Sequence, residues 1–496
     1  MIAKNSKTII IGAGIAGIAS AIRLALKGYQ VTVYESNAYP GGKLSRFNQG
    51  QYSFDAGPSL FTMPHYVDEL FLLANKKPED YFTYKKLDEV CRYFWDDGTS
   101  LTATANRETF CKNVEAKTTS TKSELIKYLK KSSTIYKITH QVFLEKSLQK
   151  LTTYLSLNTL KSVFNFGKID AFRTMAEANE AFFTDPKMVQ YANRFATYNG
   201  SNPYQAPATL NVIPHLEQNL GVYFPRNGMH SIITSLVTLA EELGVKFCYN
   251  TFVDEICVQN KTVTGIIVKK EFIPANIIVS NMDIYFTYTQ LLRTQKQPIK
   301  ILKQQRSSSA LIFYWGIKQN FEQLGLHNIL FSNNYKAEFE AIFNDKTIAI
   351  DATIYINISS KQKPDDAPND AENWFVMINV PNNTGQNWDD LIAQARSNII
   401  NKINKQFSID IESLIENESI LDPRSIQTNT QSYQGSLYGT SSNNQFAAFL
   451  RHANFSSKIK NLYFAGGSVH PGGGIPLSLL SAKIVVDLIK PFYAKT

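Results

Sequence analysis

The segment at residues 8–35, TIIIGAGIAGIASAIRLALKGYQVTVYE, has the order strand, glycine-rich turn, helix, second strand and carboxylate. Its glycines, Gly12, Gly14 and Gly17, have the G-x-G-x-x-G spacing of dinucleotide-binding units. The first permits a tight turn, the second lets the backbone approach a pyrophosphate, and the third lets the helix pack closely on the strand. Glu35 ends the second strand, where a carboxylate can accept hydrogen bonds from a ribose. We therefore predict a dinucleotide site that also includes Ile15, Ala16 and Ser36.

The apolar run at residues 8–26 approaches the length of a bilayer span, so a signal peptide or membrane anchor is an alternative interpretation. Three glycines, Arg23 within the helix and the lack of a small-residue cleavage site favour a buried βα unit instead. We therefore expect a cytoplasmic chain. An ordinary glycine-rich βα turn is a second alternative, but it does not explain the carboxylate at the end of the second strand.

The chain has 496 residues, of which 44% are hydrophobic and 19% charged, enough for a large core in two or three domains. The cysteines, Cys91, Cys111, Cys248 and Cys257, lack C-x-x-C or zinc spacing, so we expect neither a disulfide framework nor a metal site. The formal net charge of +9 favours an anionic partner such as nucleic acid or a lipid surface, although solubility alone also explains it. Because no recognition motif is found, nucleic acid is not expected.

Two loops follow the carboxylate of residue 35. Gly41 and Gly42 lie where the chain can pass close to a cofactor, and Lys43 or Arg46 can balance the charge of a pyrophosphate. A plain Pro-Gly turn is the alternative. The second loop adds three candidate cofactor contacts, Gly57, Pro58 and Ser59.

A second glycine-rich unit, NLYFAGGSVHPGGGIPLSLLSAKIVVDLI, occupies residues 461–489. A buried strand is followed by Gly466 and Gly467, which bring the backbone close to a ligand, and then by a helix that begins after Gly474. Pro476 suits the first turn of that helix. A helix N-terminus beside a flavin stabilises the negative charge that develops when the ring accepts a hydride. The remaining candidate contacts are Ile475 in this unit, Val253, and Met282 after the strand IIVS.

Between these units the pattern changes to that of a second domain. An Asp-Gly turn at Asp97 and Gly98 separates two short apolar runs and predicts a hairpin. Further strands are predicted at residues 310–317, 348–358 and 374–380, followed by a helix at 388–407.

Residues 122–168 are predicted to be helical and basic, with nine lysines against Glu124 and Glu145. The apolar positions of this region are Leu125, Leu129, Ile138, Val142, Leu148, Leu151, Leu155, Val163, Phe164 and Phe166. A cationic amphipathic region of this kind can bury its apolar face in an anionic membrane. We favour that interpretation over a solvated face above a core stripe, and expect peripheral association with the inner face of the cell membrane.

The chain resembles the FAD-dependent carotenoid desaturases of the bacterial phytoene desaturase type, among the amine oxidase-like flavoproteins. The residues that carry the resemblance are GAGIAGIASAIRLALKGYQVTVYE, PGGK, FDAGPS, YNGSNP, IPH and LYFAGGSVHPGGGIP. Within this group, FDAGPSLFTMP, RYFWDDGT and RFATYNGSNPYQAP are most similar to 1-hydroxycarotenoid 3,4-desaturases. Lys43 departs from the arginine that is common after the paired glycine; it keeps the charge but loses the bidentate geometry.

The resemblance implies an α/β fold in which a Rossmann-type FAD-binding domain (residues 1–80, 225–295 and 440–496) is interleaved with a substrate domain of antiparallel sheet and helices (81–224 and 296–439). It also implies an apolar tunnel for a membrane-dissolved C40 polyene, hydride transfer to FAD, and reoxidation by oxygen or a membrane quinone. Phe61, Tyr198 and Trp315 are candidate tunnel residues, although most such aromatic side chains belong to the core. No catalytic base can be named, and His470 is a weak candidate that also suits a structural hydrogen bond.

Other functions remain open at the level of sequence. The same chemistry applied to non-hydroxylated phytoene or neurosporene is the nearest alternative. An amine oxidase would need a cage for a polar amine, and a protein that binds isoprenoid lipids without turnover belongs to another class. A nicotinamide cofactor is not expected, because one complete dinucleotide fingerprint is found.

Overall fold

The computed structural model describes residues 6–140, 144–150, 166–444, 446 and 450–489. The strands in chain order are β1 (Lys7–Ile11), β2 (Gln30–Tyr34), β3 (Arg46–Gln49), β4 (Tyr52–Asp55), β5 (Tyr84–Lys86), β6 (Glu89–Phe94), β7 (Ser100–Thr104), β8 (Tyr223–Pro225), β9 (Lys246–Cys248), β10 (Glu255–Gln259), β11 (Thr262–Val268), β12 (Glu271–Pro274), β13 (Ile277–Ser280), β14 (Ser309–Ile317), β15 (His327–Leu330), β16 (Ile354–Ile358), β17 (Glu372–Val380), β18 (Ile415–Leu421) and β19 (Leu462–Phe464). The α-helices are α1 (Ile15–Leu26), α2 (His65–Leu73), α3 (Arg107–Lys117), α4 (Lys122–Thr139), α5 (Met175–Glu180), α6 (Pro186–Asn193), α7 (Ser231–Glu242), α8 (Ile284–Phe286), α9 (Ile299–Leu302), α10 (Tyr335–Glu340), α11 (Trp388–Phe407), α12 (Pro423–Thr430) and α13 (Ile475–Leu488).

A five-stranded parallel sheet carries the first glycine turn. Its strand order is β19-β13-β1-β2-β9, with Ile10 of β1 in register with Val279 of β13 and Val33 of β2. The three isoleucines of β1 are buried because both faces of the sheet are covered. Ile10 shares one hydrophobic core with α1, α2, α7 and α13, and Ile9 and Ile11 share another with β10 and β11. The predicted Rossmann-type α/β core is confirmed.

A seven-stranded sheet, with the order β18-β14-β17-β16-β15-β6-β7, forms the second large layer. Its neighbours pair antiparallel except β15 and β6, which run parallel. The antiparallel sheet is thus as expected apart from that pair. Every residue of β14 is buried, and α11 packs with β14, β16 and β17 in one core. The predicted Asp-Gly hairpin joins β6 and β7, with Gly98 at φ +83°.

The two sheets draw their strands from different parts of the chain. The five-stranded sheet takes β1 and β2 from the first segment assigned to FAD binding, β9 and β13 from the second, and β19 from the third. The seven-stranded sheet takes β6 and β7 from one substrate-domain segment and the remaining strands from the other. This arrangement agrees with an interleaved chain, and the domain boundaries themselves stay a prediction.

Helix α4 begins at a capping box, in which Thr121 and Glu124 satisfy each other's backbone N–H groups. Leu125 and Leu129 of α4 are at most 3% exposed and pack in a hydrophobic core of the protein, and Leu148, further along the chain, is 4% exposed. The expectation that the face of α4 rests on a membrane is therefore wrong for these residues, because the protein's own core covers it. Positions 142, 151, 155, 163 and 164 lie outside the described residues, as does the side chain of position 166.

Among the described residues, no helix combines the length and apolar character needed to cross a bilayer.

Candidate functional site

A cavity of about 710 Å³ extends from the carboxyl ends of β1 and β2 to the seven-stranded sheet. Three groups of residues line it. Glycine-rich turns and helix N-termini form one end. Apolar and aromatic side chains of the large sheet form a wall, Ala310, Ile312, Tyr314, Phe375 and Met377. A third group is polar and includes Ser59, Arg194, Tyr198, Glu217, His327 and Tyr355.

The first turn has the geometry that its glycine spacing predicts. Gly12 adopts φ +98°, in the region that L side chains avoid. A Cβ on Gly17 would overlap the carbonyl oxygen of Gly12, so only glycine lets α1 approach β1 this closely. The residue before α1 is Gly14, which has no side chain to cap the helix. The N–H groups of the first turn are therefore available to an anion.

Glu35 is nearly fully buried at the end of β2 and faces the cavity. One carboxylate oxygen accepts a hydrogen bond from the Ala13 amide at 2.7 Å, and the other accepts from the Asn37 amide at 2.9 Å. The carboxylate therefore ties the first turn to the loop after β2. Its role in binding a ribose stays a prediction.

A second layer of glycines packs on the first turn. The Gly41 amide donates to the Ala13 carbonyl at 2.8 Å, and Gly41 adopts φ +111°. A Cβ on Gly57 would overlap the Lys43 carbonyl oxygen, so the loop that carries Pro58 and Ser59 lies directly against this layer. The backbone itself thus forms much of this end of the cavity.

Lys43 and Arg46 already have protein partners. The Lys43 ammonium donates to the carbonyls of Ser436 and Leu437 at 3.1 and 2.8 Å, and burial lowers its pKa to about 8. Arg46 pairs with Asp366 at 2.6 Å. Their interaction with a pyrophosphate stays a prediction, and the structure directs both charges to other groups.

The C-terminal unit completes the glycine-built end. Gly466 follows β19 at φ +118°, and Gly474 precedes α13 without a side-chain cap in the described chain. Between the units lies Asn281, whose amide donates to the Ala465 carbonyl at 2.9 Å. A Cβ on Gly14 or Gly466 would come within 2.6 Å of the Asn281 amide group. Asn281 therefore locks both glycine turns together, and its position directly after a central strand was the one sequence signal for it.

The predicted cofactor residues largely come together in this cavity. Those that line it are Gly12, Gly14, Ile15, Ala16, Glu35, Ser36, Gly41, Gly42, Lys43, Gly57, Pro58, Ser59, Val253, Met282, Gly466, Gly467, Gly474, Ile475 and Pro476. Gly17 supports the turn from behind instead.

A buried ionic network lines the cavity away from the glycines. Arg194 donates to Glu217 at 2.5 Å and to the Tyr93 hydroxyl at 2.5 Å, and Tyr198 donates to the other oxygen of Glu217. The side chains of Arg194 and Glu217 are at most 5% exposed. Burial raises the pKa of the Tyr198 phenol well above its usual value, so this hydroxyl keeps its proton. Of the residues in this network, Tyr198 alone is predicted from the sequence, as a tunnel residue.

A second polar chain begins at Ser59. The hydroxyls of Ser59 and Tyr355 lie 2.7 Å apart, and the Tyr355 hydroxyl lies 2.7 Å from Nδ1 of His327. His327 begins β15 and is 3% exposed, and its Nε2 finds no hydrogen-bond partner in the described part of the chain. The register of the strands brings these hydrogen-bonded residues together, and no local sequence motif predicts their contact.

Three predicted residues lie elsewhere. Phe61 packs edge-on against Phe82 and Tyr84, and Trp315 is fully buried and donates to Glu418 at 3.0 Å; neither lines the cavity within the described chain. His470 is also outside the lining, and its Nε2 lies 2.9 Å from the Lys146 carbonyl. Burial lowers the pKa of His470 to about 4, which keeps it neutral. This geometry favours the structural alternative for His470.

The family model for flavin containing amine oxidoreductases matches residues 15–490. The chain belongs to this family. FAD is accordingly its cofactor, and the chain is an FAD-dependent oxidoreductase. The residues present fit that cofactor, because two uncapped helix N-termini and backbone-lined glycine turns face one cavity.

Curated relatives in the family include enzymes named for carotenoids. The chain is 53% identical over 483 residues to a 1-hydroxycarotenoid 3,4-desaturase from Flavobacterium sp. strain P99-3, which covers 97% of this chain and 99% of the relative. It is 31% identical to a 4,4'-diapolycopene oxygenase from Methylomonas sp., with 98% of each chain covered.

Solved structures share the fold. An oxidoreductase from Methanosarcina mazei superimposes with a TM-score of 0.64 at 13% identity, over 97% of this chain and 100% of that one. A putrescine oxidase variant superimposes with a TM-score of 0.63 at 12% identity, over 97% and 98% of the two chains. The amine oxidase-like architecture is therefore confirmed.

Proposed function

We propose that the chain is an FAD-dependent carotenoid desaturase that converts the C3–C4 single bond of an acyclic 1-hydroxy C40 carotenoid into a double bond. The observation that carries the proposal is the single cavity that joins the glycine-built cofactor end to an apolar wall. The 53% identical relative named for this reaction supports the choice of substrate.

The residues of the chain position the reactants and exclude water. Gly12, Gly14 and Glu35 would hold the adenosine and pyrophosphate part of FAD, and the N-terminus of α13 would face the flavin part. Bound FAD supplies the two-electron acceptor for a hydride from the substrate. Ile312, Phe375 and Met377 offer apolar contacts to a polyene, which replaces water along the cavity wall.

Loss of a hydride from one carbon and a proton from its neighbour leaves the new double bond. His470 is not placed to take the proton, because it is outside the cavity lining and its Nε2 donates to a carbonyl. Extended conjugation in the substrate makes this proton easier to lose. The protein therefore contributes mainly orientation. Oxygen or a membrane quinone is the proposed final electron acceptor.

The decisive experiment uses purified, FAD-loaded protein in liposomes without oxygen. A 1-hydroxylated acyclic carotenoid or phytoene is added, and flavin absorbance and product spectra are followed. Flavin bleaching together with a red-shifted polyene for the hydroxylated substrate supports the proposal. Conversion of phytoene alone assigns the chain to the non-hydroxylated reaction instead, and absence of bleaching with both substrates contradicts carotenoid desaturation.

We further propose that the protein docks on the membrane through a face distinct from α4. Phe172, Ile299, Phe446 and Leu450 are 78%, 58%, 53% and 46% exposed, and apolar side chains grouped in one exposed patch mark an interaction site. Phe172 and Phe446 line the same small surface hollow, and Gln304 beyond α9 donates to the Leu450 carbonyl. Exposed cations surround α9, namely Arg293, Lys296, Lys300 and Lys303. Apolar anchors beside cations suit an anionic lipid surface.

Flotation with phosphatidylglycerol liposomes tests this docking face. The paired substitution Ile299→Ser and Phe446→Ser is expected to lower the floated fraction, because it removes two apolar anchors while keeping the cations. Leu72→Ser and Leu73→Ser form a matched control, since these leucines are similarly exposed on α2. Equal flotation of both double variants and the wild type would contradict the assignment.

A further inference from the structure

The polar chain of Ser59, Tyr355 and His327 has a fixed direction of donation. The Asn357 amide nitrogen donates to the Leu326 carbonyl at 3.0 Å, which sets the orientation of the amide. The same nitrogen lies 3.2 Å from Nδ1 of His327. Because an amide nitrogen only donates, Nδ1 is an acceptor and the proton of the neutral ring resides on Nε2. Burial and the nearby Arg194 lower the pKa of His327 to about 3, so the ring stays neutral.

The same assignment sets the donor and the acceptor in the other two hydrogen bonds of this polar chain. Since Nδ1 accepts, the Tyr355 hydroxyl donates to it, and the Ser59 hydroxyl donates to Tyr355. His327 and Asn357 are opposite each other in the β15–β16 register, so the strands hold the ring in place. What remains is the Nε2–H group, a buried donor without a partner among the residues described. Leaving such a donor unpaired is costly, so a ligand that supplies an acceptor is favoured.

We propose that His327 is the specificity-determining residue that binds the 1-hydroxyl oxygen of the carotenoid substrate through its Nε2–H group. The inference rests on the proposed function and deepens it. His327 lines the same cavity as the cofactor end and is joined to Ser59 of the Gly57-Pro58-Ser59 loop by one tyrosine.

The position of the hydroxyl gives this contact a second consequence. A polyene is a repeat of similar apolar units, and apolar walls discriminate poorly between one unit and the next. In the substrate, the hydroxyl carbon C1 is separated from C3 by a single methylene group. An anchored hydroxyl therefore fixes C3 and C4 close to the anchor, and the contact determines which bond reaches the cofactor. Sites built to hydrogen-bond a substrate hydroxyl also reject analogues that lack it.

The test is the ratio of kcat/KM for two substrates in the FAD-loaded protein on liposomes. One is a 1-hydroxylated acyclic carotenoid, and the other is the same polyene with hydrogen in place of the hydroxyl. His327→Leu is expected to reduce the ratio about ten- to a hundred-fold, mainly through the hydroxylated substrate. His327→Gln keeps an N–H donor and is expected to retain more of the ratio than His327→Leu.

A matched control distinguishes recognition from general damage. His452 is also a buried, neutral histidine, and it is not among the cavity-lining residues of the described chain. His452→Leu is expected to change both substrates alike and leave the ratio unaltered. An unaltered ratio in a FAD-loaded His327→Leu variant overturns the proposal.

If His327→Leu does not bind FAD, a second variant tests whether His327 binds the substrate hydroxyl. Tyr355→Phe removes the hydroxyl that donates to Nδ1, and is expected to lower the ratio several-fold and to yield products desaturated at bonds other than C3–C4. An unchanged ratio with unchanged products contradicts the proposal. In the wild type, equal turnover of both substrates overturns this inference alone, whereas turnover of neither overturns the proposed function.

Discussion

One end of the cavity is lined mainly by backbone atoms, and the other is lined mainly by polar side chains. At the glycine-built end, backbone atoms of the turns around Gly14, Gly41 and Gly466 form the surface, and adding a single Cβ creates a clash. At the polar end, side chains form the surface: Arg194 donates to Glu217, and Nδ1 of His327 accepts from the Tyr355 hydroxyl. The first end is therefore sensitive to an added atom at these three glycines, whereas the second is sensitive to the loss of one partner. Substitutions at the two ends should therefore have different effects: loss of FAD binding at the glycine-built end and loss of stability at the polar end.

The largest effect is expected at the glycine-built end. Gly17→Ala places a Cβ on the Gly12 carbonyl oxygen, so α1 must move away from β1 and the FAD site is lost. The measurement is the ratio of flavin to protein after purification. Gly167→Ala is the matched control, because its Cβ meets no described atom within 4 Å. A Gly17→Ala protein with full flavin content would refute the backbone model of this end.

At the polar end, Glu217→Ala leaves the buried Arg194 without its carboxylate. The free energy of unfolding is expected to fall by about 3–5 kcal/mol, since an uncompensated buried charge remains. Denaturant unfolding followed by circular dichroism measures the change. Glu108→Ala breaks an ion pair with Lys122 on the surface and is expected to leave the midpoint unchanged. Similar losses of unfolding free energy in the two variants would contradict the expectation that the buried ion pair matters more to stability than the exposed one.

His470 tests whether a buried polar residue near the glycine-built end is structural. Its folded pKa of about 4 lies below the unfolded value of 6.5, so the unfolded chain takes up the proton first as pH falls. Stability should therefore be lost between those two values. In His470→Gln that loss should be smaller by up to about 3 kcal/mol. Unfolding at several pH values measures this difference.

The same variant also addresses catalysis. Removal of a general acid or base lowers kcat by about 10²–10⁴-fold. His470→Gln is expected to cause no loss of that size, because the amide can still donate to the Lys146 carbonyl. A loss of that size with normal flavin content would restore His470 as a catalytic candidate.

The smallest effect is expected outside both ends. Trp315→Phe removes a hydrogen bond to Glu418 and some packing, with an expected cost of about 1–2 kcal/mol in unfolding free energy. Substrate preference should stay unchanged, because Trp315 is not part of the described cavity lining. Tyr198→Phe, which alters the lining itself, is the comparison. If Trp315→Phe changed the substrate preference and Tyr198→Phe did not, the substrate would bind outside the described cavity.

The convergence of the glycine-built end in one cavity can be predicted from the sequence because its determinants are local. Gly12, Gly14, Glu35 and Gly466 reveal themselves by spacing and by the strands and helices beside them. The helix at 388–407 was likewise predicted at its observed bounds. The predicted strand at 348–358 was too long: pairing begins at Ile354, and a short π-helix at Ala341–Asp345 lies upstream.

The polar end was largely missed because its determinants are distant in sequence. Glu217 meets Arg194 from a separate helical turn, and His327 meets Tyr355 through strand register. The stripe on α4 shows a related limit. Its period correctly predicted a helix with a buried face, but periodicity does not state whether protein or lipid covers that face.

The strand order of the five-stranded sheet also constrains how the protein forms during synthesis. The first βα unit lies within residues 7–34, yet β19 and the Gly466 turn are more than four hundred residues further along. The FAD pocket therefore cannot close on the ribosome until β19 has emerged, and the early unit waits with an incomplete sheet edge. Chaperones that cover this edge, together with the supply of FAD at the moment of release, should therefore govern the yield of active enzyme in the cell.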